Sequence, residues 1–320
     1  MSVSASPPLA PAPVSAEPVH FFTVDVEEYF QVTAFEQIVA RDEWTRLPSR
    51  VERSVDRLLD LLARHGAHGT FFTLGWVARS HPWVVRRIAD AGHEIACHSY
   101  WHRRVWTLSP AEFRADVRDA KAALEDVTGR PVHGFRAPSF SIRPGVEWAF
   151  DVLLEEGYRY DSSLFPIRRP DYGYPGAPCE PHLIERRAGT LLELPLATMT
   201  LAGLRLPAAG GGYLRQLPFG VVRAAFRQAA ARGVPAVFYI HPWEIDVEQP
   251  KLPTSWLTRR RHYGGLARTL PRLERLCGEF RFTAIAHHYD FGRTTPAPVD
   301  RAAGARPRPA AAPLSTSLPA

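Results

Sequence analysis

Two histidines, His98 and His102, stand four residues apart directly after a short apolar run. On one turn of helix, side chains at this spacing lie on the same face, so both imidazoles can bind one metal ion. Two surface or hydrogen-bonded histidines would produce the same pattern. The position straight after an apolar segment favours the metal site.

Acidic residues follow another apolar run, at Asp25, Glu27 and Glu28. Asp25 and Glu27 share a face if strand geometry continues through them. One carboxylate can complete a site of two histidines and one carboxylate that keeps positions open for water. The other carboxylate can accept a proton from that water. The alternative is a solvated loop or a helix cap.

A basic residue and a third histidine also end apolar runs. Arg136 can hold a carboxylate in one orientation and lower its pKa, although a structural ion pair fits as well. His241 suits a general acid, because the pKa of histidine lies near neutrality. A hydrogen-bonded core histidine is the alternative for His241.

Short apolar runs alternate with amphipathic stretches through the middle of the chain. Strands are predicted at 19–25, 69–75, 93–98, 132–138, 158–163, 191–197, 235–241 and 280–285, and helices at 50–66, 83–92, 109–128, 146–156, 219–232 and 263–278. This alternation predicts a parallel sheet covered by helices, either a barrel or an open doubly wound sheet. The carboxyl ends of parallel strands meet at one rim, where we expect the polar residues to converge.

Two local patterns make specific structural predictions. Ser109, Pro110 and Glu112 indicate the capped start of a helix. The run 210–212, three glycines, indicates a turn or a close backbone approach.

The composition is that of a globular enzyme with extended ends. The chain has 320 residues, 45% apolar and 22% charged, which is enough for one large core. Residues 1–18 and 291–320 are rich in proline, alanine and serine. They predict two disordered tails around one folded domain at 19–290.

Charge and cysteine content argue against several classes of protein. The formal net charge is +6, but the segment 291–320 carries four arginines and one aspartate, a net +3. We find no Lys/Arg run with interleaved aromatic residues, which argues against nucleic-acid binding. The three scattered cysteines predict neither a disulfide framework nor a thiolate zinc site. No signal peptide or membrane-length apolar run is recognisable, so we expect a cytoplasmic protein.

The ordered motifs resemble those of the NodB-type polysaccharide deacetylases. The matching segments are Asp25-Val26-Glu27, His98-Ser99-Tyr100-Trp101-His102, Arg136-Ala137-Pro138, Asp161-Ser162-Ser163-Leu164-Phe165 and Phe238-Tyr239-Ile240-His241. Phrases such as DVEEYFQV and HPWEIDVEQP look closer to the branch associated with exosortase (PEP-CTERM) and exopolysaccharide loci. That branch carries an extra C-terminal segment, here at about 245–290.

This resemblance implies a distorted (β/α) barrel of about seven parallel strands. It implies one divalent metal ion, usually zinc, with cobalt, nickel or manganese as alternatives. The implied reaction removes N-acetyl groups from N-acetylhexosamine units of a polysaccharide or oligosaccharide. A place beside an exopolysaccharide synthesis complex is implied as well.

The resemblance also assigns roles to residues. Asp25 would be the general base, oriented by Arg136, and His241 would protonate the leaving amine. The implied metal ligands are Glu27, His98 and His102. The implied substrate-binding residues are Asp161, Leu164, Phe165 and Trp243, the last as one of several aromatic residues that could stack on sugar rings.

The sequence departs from the family pattern at two places. Val26 stands where the commoner pattern has a second aspartate, so the acidic ligand shifts to Glu27 or to Glu28. Leu164-Phe165 replaces an Asp-Trp pair, so we expect a different wall for the acetyl pocket. Two other functions remain open, namely the hydrolysis of another non-peptide amide and sugar binding by an inactive barrel.

Overall fold

The computed structural model describes residues 18–169, 172–292 and 297–298. Most of the two predicted tails, residues 1–17, 293–296 and 299–320, lies outside the described residues. Phe291 is only 7% exposed and stacks on Tyr160, with ring centroids 4.9 Å apart. The chain therefore still packs on the core one residue past the predicted boundary at 290.

The secondary structure alternates as the hydrophobic pattern predicts. The strands are β1 (Val19–Val26), β2 (Thr70–Thr73), β3 (Glu94–Cys97), β4 (Gly134–Phe135), β5 (Tyr160–Asp161), β6 (His182–Arg186), β7 (Gly189–Glu193), β8 (Thr198–Leu201), β9 (Leu204–Pro207), β10 (Val237–Ile240), β11 (Arg281–Thr283), β12 (Tyr289–Asp290) and β13 (Ala297–Pro298). The helices are α1 (Val51–Arg64), α2 (Gly75–Ser80), α3 (Pro82–Asp90), α4 (Pro110–Thr128), α5 (Trp148–Glu155), α6 (Gly211–Gln216), α7 (Phe219–Ala231), α8 (Trp256–Tyr263) and α9 (Thr269–Glu279). Short 3-10 helices lie at Thr33–Phe35, Arg41–Glu43, Val105–Thr107, Pro138–Phe140, Pro242–Ile245, Leu266–Arg268 and Ile285–His287.

A parallel sheet forms the centre of the molecule, in the order β10-β1-β2-β3-β4-β5-β7. A parallel bridge between Leu196, just after β7, and Val237 of β10 brings the two ends of this sheet together. Among the described residues, these seven strands make a closed but irregular barrel. The prediction of an α/β fold with a distorted barrel of about seven parallel strands is confirmed.

Other strands lie outside this ring. β6 pairs antiparallel with β7, and β11 pairs with the first half of β1. The hairpin β8–β9 and helices α2 and α8 were not predicted. They are short elements, and α8 is charged on most sides, so none shows the periodic apolar face on which the prediction relied.

The N-terminus of α4 confirms the capping prediction. The Ser109 hydroxyl accepts a hydrogen bond from Glu112 N, and the Glu112 carboxylate accepts one from Ser109 N. Pro110 occupies the first turn, and Gly129 ends the helix at φ 63°. Local sequence therefore determines both ends of the helix that covers β3.

The first strand shows how the barrel separates apolar from polar side chains. Phe22 and Val24 are fully buried in the hydrophobic core. Thr23 and Asp25 alternate with them, and both contact the guanidinium of Arg136. The strand is buried on both faces, which explains its nearly continuous apolar sequence.

Within the described ranges, no helix combines the length and the hydropathy that a membrane crossing requires.

Candidate metal centre and active site

A cluster of one carboxylate and two imidazoles lies at the carboxyl ends of β1 and β3. Glu27, His98 and His102 each offer a ligand atom, and these atoms lie within 4.8 Å of one another. All three residues are buried, with exposures of 1%, 2% and 6%. Glu27 Oε2 lies 2.8 Å from His102 Nε2, yet this buried oxygen receives no well-aligned hydrogen bond. A buried oxygen without a hydrogen-bond partner, next to two imidazoles, fits a divalent cation such as zinc.

The two histidines come together by a route that differs from the predicted helical turn. Residues 98–102 form a loop after β3, with Ser99 at φ 68° and His102 at φ 53°. The Ser99 hydroxyl accepts a hydrogen bond from His102 N, and the Asp116 carboxylate accepts one from Tyr100 N. These bonds stabilise left-handed backbone conformations that non-glycine residues rarely adopt.

The tautomer of His98 is determined by its backbone partner, and its neutral state by burial. Its Nδ1 donates to the carbonyl oxygen of Arg136 at 2.8 Å, which leaves Nε2 to face the cluster. Burial lowers the pKa of His98 to about 4. His98 is therefore neutral at physiological pH, as a metal ligand must be.

Glu27 is ionised and held in place. Burial alone would raise its pKa, but the neighbouring charges of His102 and His241 outweigh burial and lower the pKa to about 2. The indole Nε1 of Trp243 donates to Glu27 Oε1 at 3.2 Å. One carboxylate oxygen is thus oriented by the protein, while the other faces His102.

Glu28 is the alternative acidic ligand that the sequence left open. Its side chain contacts the N-terminus of α1. Its carboxylate accepts hydrogen bonds from Arg50 N at 2.9 Å, from Val51 N at 3.1 Å and from the Ser49 hydroxyl. Burial raises the pKa of Glu28. The geometry brings Glu27 into the cluster and leaves Glu28 as the cap of a helix.

Arg136 joins the general-base candidate to the interior of the barrel. The guanidinium is fully buried and donates from Nη1 to Asp25 Oδ1 and to Thr23 Oγ1, both at 2.7 Å. It also donates to the Ser162 hydroxyl at 2.8 Å and to the Ser162 carbonyl oxygen at 3.0 Å. The guanidinium carbon lies 4.1 Å from the ring centroid of Phe72. This set of contacts fixes the orientation of Asp25 next to the cluster.

His241 lies across from Asp25. Its Nε2 is 3.6 Å from Glu27 Oε1 and 3.9 Å from Asp25 Oδ2, and the side chain is 19% exposed. Its Nδ1 donates to Glu244 Oε1 at 2.8 Å. Burial would lower the pKa of His241, but Glu27, Glu244 and Asp25 outweigh burial and raise it to about 9. A bound cation would offset the charge of Glu27 and reduce this rise.

Glu244 and its partner Arg215 were not singled out from the sequence. Arg215 Nη1 donates to Glu244 Oε2, and Arg215 is 2% exposed. Burial would raise the pKa of Glu244, but Arg215 and His241 outweigh burial and lower it. The sequence signal was the spacing of His241 and Glu244, which is that of a capping box on the 3-10 helix that follows β10.

Two of the three consecutive glycines make close approaches, which confirms that prediction. A Cβ atom on Gly211 would lie 2.5 Å from the carboxylate of Glu244. A Cβ atom on Gly210 would lie 2.3 Å from the ring of Tyr239. The backbone at the start of α6 packs directly against the carboxylate that contacts His241.

Three of the residues expected to bind substrate are deeply buried. Asp161 and Phe165 are fully buried and Leu164 is 1% exposed. Asp161 accepts from the Ser163 hydroxyl at 2.6 Å and from Ser163 N at 3.1 Å, so it shapes the loop after β5. Burial raises the pKa of Asp161 and of its neighbour Glu193, that of Glu193 well above its usual range. None of these groups is open to a sugar in this structure.

Trp243 likewise offers little open ring surface. It is 8% exposed and stacks on His241 and on His262, with centroid distances of 5.1 Å and 4.1 Å. The structure places it beside Glu27, with its ring among other rings and not at an exposed face.

Comparisons with known proteins agree with this arrangement. Residues 44–152 match the family model for polysaccharide deacetylase, and residues 162–290 match a domain of unknown function, DUF3473. The second match begins well before the C-terminal segment expected at about 245. His98, His102 and Arg136 lie in the first region, whereas Arg215 and His241 lie in the second. Both regions therefore contribute side chains to one site.

Curated relatives match over part of their length. A peptidoglycan deacetylase of Helicobacter pylori is 27% identical over 118 residues, which cover 35% of this chain and 38% of that protein. A peptidoglycan-N-acetylglucosamine deacetylase of Bacillus cereus is 31% identical over 103 residues, which cover 32% of this chain and 46% of that protein. The chain thus spans less than half of the length of these relatives.

A solved structure shows the same fold over nearly the whole chain. It is described as a candidate polysaccharide deacetylase from Mycobacterium smegmatis, with a TM-score of 0.60 and 23% identity over 88% of this chain and 93% of that one. This structural match shows a shared fold, and the family-model match at residues 44–152, which contains the two histidines of the cluster, shows that this region is similar to the polysaccharide deacetylases.

Proposed function

We propose that the protein is a metal-dependent hydrolase that removes N-acetyl groups from N-acetylhexosamine units of a polysaccharide or its precursor. The observation that carries the proposal is the pairing of Asp25, held by Arg136, with His241, held by Glu244, next to Glu27 of the metal-binding cluster. The deacetylase names of the relatives support the same reaction.

Glu27, His98 and His102 would hold the metal. Their donor set of one carboxylate and two imidazoles suits zinc and leaves coordination positions open. When bound there, the ion would acidify water and polarise the acetyl carbonyl group.

The other side chains would move protons. Asp25 Oδ2 is free of Arg136 Nη1, which contacts Oδ1, and can accept a proton from the attacking water. His241 Nε2 faces the cluster and can donate a proton to the leaving nitrogen, since Nδ1 is engaged by Glu244. An amide needs this second proton transfer because an amine anion is a poor leaving group.

The identity of the polymer, zinc as the native metal and a role in exopolysaccharide synthesis remain predictions. The roles assigned to individual residues and the boundaries of the domain are part of the proposal as well.

Acetate release from N-acetylglucosamine oligosaccharides by the purified full-length chain tests the proposal. We expect release that a chelator abolishes and that added zinc restores. Metal binding with no release from any N-acetylated sugar, but with turnover of a different amide, would contradict the substrate class. Saccharide binding without turnover of any amide would identify an inactive barrel.

The variant Asp25→Asn separates proton transfer from metal binding. Asn keeps the shape of Asp25 but accepts no proton at neutral pH, so kcat should fall by about 10²–10⁴-fold. Zinc stoichiometry, measured by atomic absorption, should stay unchanged, because Asp25 is outside the three-residue cluster. Full activity of this variant would overturn the assigned role.

A further inference from the structure

A basic and apolar surface lies on α8, outside the site described above. Trp256 is 70% exposed and Leu257 49% exposed, and the next residues, Arg259, Arg260 and Arg261, are exposed too. The guanidinium of Arg260 lies 5.7 Å from the ring centroid of Trp256. We call these five side chains the α8 surface.

The α8 surface carries a net positive charge that the protein does not neutralise. The stretch 251–273 contains six basic residues and no acidic residue. Within the described part of the chain, none of its three arginines lies within 4.0 Å of a carboxylate. This run of three arginines lies between Trp256 and Tyr263, which flank it without interrupting it. Its charge is available to an anionic partner.

The helix is firmly attached to the barrel, so its exposed face is not a frayed end. Arg215 Nη2 donates to the carbonyl oxygens of Arg261 at 2.6 Å and of His262 at 3.0 Å. His262 Nε2 lies 2.9 Å from Gln249 Oε1, and its ring stacks on Trp243. Because Trp243 contacts Glu27, α8 lies at the rim that carries the site.

We propose that the α8 surface docks on an anionic lipid bilayer. Trp256 and Leu257 enter the headgroup region, and the three arginines face the lipid phosphates. Indole rings favour the membrane interface, and clustered arginines are attracted to anionic leaflets. Docking of this kind would hold the site-bearing rim close to the lipid surface.

Leu257 favours a lipid bilayer over a polysaccharide or a nucleic acid as the anionic partner. An aromatic ring can stack on a sugar or a nucleobase, but an exposed leucine gains chiefly by leaving water for an apolar phase. Single exposed apolar residues are ordinary in soluble proteins. Two adjacent ones beside three unpaired arginines fit an interface that offers both acyl chains and phosphates.

Cosedimentation of the full-length chain with lipid vesicles tests the proposal. We expect binding to vesicles of phosphatidylcholine and phosphatidylglycerol, and none to phosphatidylcholine alone. Trp256→Ser/Leu257→Ser should lower the partition coefficient by roughly tenfold or more. Arg259→Glu/Arg260→Glu should abolish binding, and added salt should weaken it. Since turnover is not measured, this result is independent of the proposed hydrolase activity.

Matched variants elsewhere on the surface serve as controls. Trp83→Ser removes another exposed tryptophan, 45% exposed on α3, and Arg79→Glu/Arg86→Glu reverses two other exposed arginines. These variants should bind vesicles as the unmodified chain does. Equal losses in the control variants, or no vesicle binding at all, would overturn the proposal. Binding of an acidic polysaccharide or of single-stranded DNA in place of vesicles would overturn it too.

Discussion

His241 is oriented by a chain of buried contacts that its position at a strand end does not reveal. Its Nδ1 is bound to Glu244, Glu244 is bound to Arg215, and the backbone of Gly211 closes over the carboxylate. A carboxylate in this position fixes the tautomer of the imidazole and points Nε2 at the cluster. At the scale of single residues, the site therefore depends on side chains that lie behind the reacting ones.

The variant Glu244→Gln tests this orientation. Loss of the carboxylate should lower kcat for an N-acetylated sugar by about tenfold to a hundredfold. Hydrolysis of 4-nitrophenyl acetate should change little, because its leaving group departs without protonation. Steady-state kinetics on the two substrates provide the comparison.

Glu248→Gln is the matched control for this variant, since Glu248 is 62% exposed in its side chain and pairs with Arg53 at the surface. It should leave both rates unchanged. If Glu244→Gln slowed the amide and the ester by the same factor, a general loss of structure would explain the result, and the orienting role would be rejected.

Neighbouring acids acquire different tasks at the scale of secondary structure elements. Glu27 continues from β1 into the cluster, whereas Glu28 turns away and accepts the free N–H groups at the start of α1. Two successive side chains thus serve different elements: Glu27 extends the end of β1, and Glu28 contacts the start of α1. Because the N-terminal N–H groups of a helix need acceptors, the Glu28 carboxylate binds them, and the Glu27 carboxylate is left for the cluster.

Single substitutions at Glu27 and Glu28 should separate these tasks. Glu28→Ala leaves two N–H groups at the start of α1 without an acceptor and should lower the free energy of unfolding by about 1–3 kcal/mol, with zinc affinity unchanged. Glu27→Gln should lower zinc affinity at least tenfold or so. Urea unfolding and competition with a chromophoric chelator measure the two quantities. Loss of zinc binding in Glu28→Ala at native stability would exchange the two assignments.

Two neutral histidines stabilise the barrel at the end opposite the site. His20 Nδ1 accepts from Ala236 N at 3.0 Å, and His93 Nδ1 accepts from Gly69 N at 3.1 Å. Burial lowers the pKa of each from 6.5 to about 4, and for His93 the charges of His68 and His287 add to the effect. Protonation of Nδ1 would remove an acceptor from a buried N–H group. At the scale of the whole molecule, both residues link stability to pH.

The stability of the protein should fall in acid between pH 6.5 and 4. In this window the unfolded chain binds protons at His20 and His93 that the folded chain does not, so unfolding becomes more favourable as the pH falls. Each histidine should lower the free energy of unfolding by roughly 3 kcal/mol as the pH falls from 6.5 to 4, and should add no pH dependence above pH 6.5. His93→Asn, whose amide oxygen can replace the acceptor, should make the pH dependence shallower. Urea midpoints measured from pH 4 to 8 would reject this idea if both proteins showed the same slope.

Much of the architecture could be read from local sequence. The alternation of apolar runs and amphipathic stretches predicted a parallel sheet covered by helices, because strands buried on both faces are continuously apolar and covering helices are apolar on one face. The family resemblance, and not the alternation, implied that this sheet closes into a barrel. The N-terminal cap of α4 was predicted for the same reason, and a close approach was one of the two interpretations of the three glycines, since each depends on a few adjacent residues. The positions of Asp25, Arg136 and His241 at strand ends also followed from the pattern.

Long-range packing decided the rest. The loop at 98–102 replaces the expected helical turn because Asp116 of α4 holds its backbone, and that contact spans sixteen positions in the chain. Long-range contacts also place Arg215 behind Glu244, and they pack the ring of Trp243 on His262. The sequence by itself determined which residue types end the strands and hence the kind of chemistry. Only the tertiary structure decided which acid joins the two histidines and which partners orient them, because these contacts join segments that no local pattern connects.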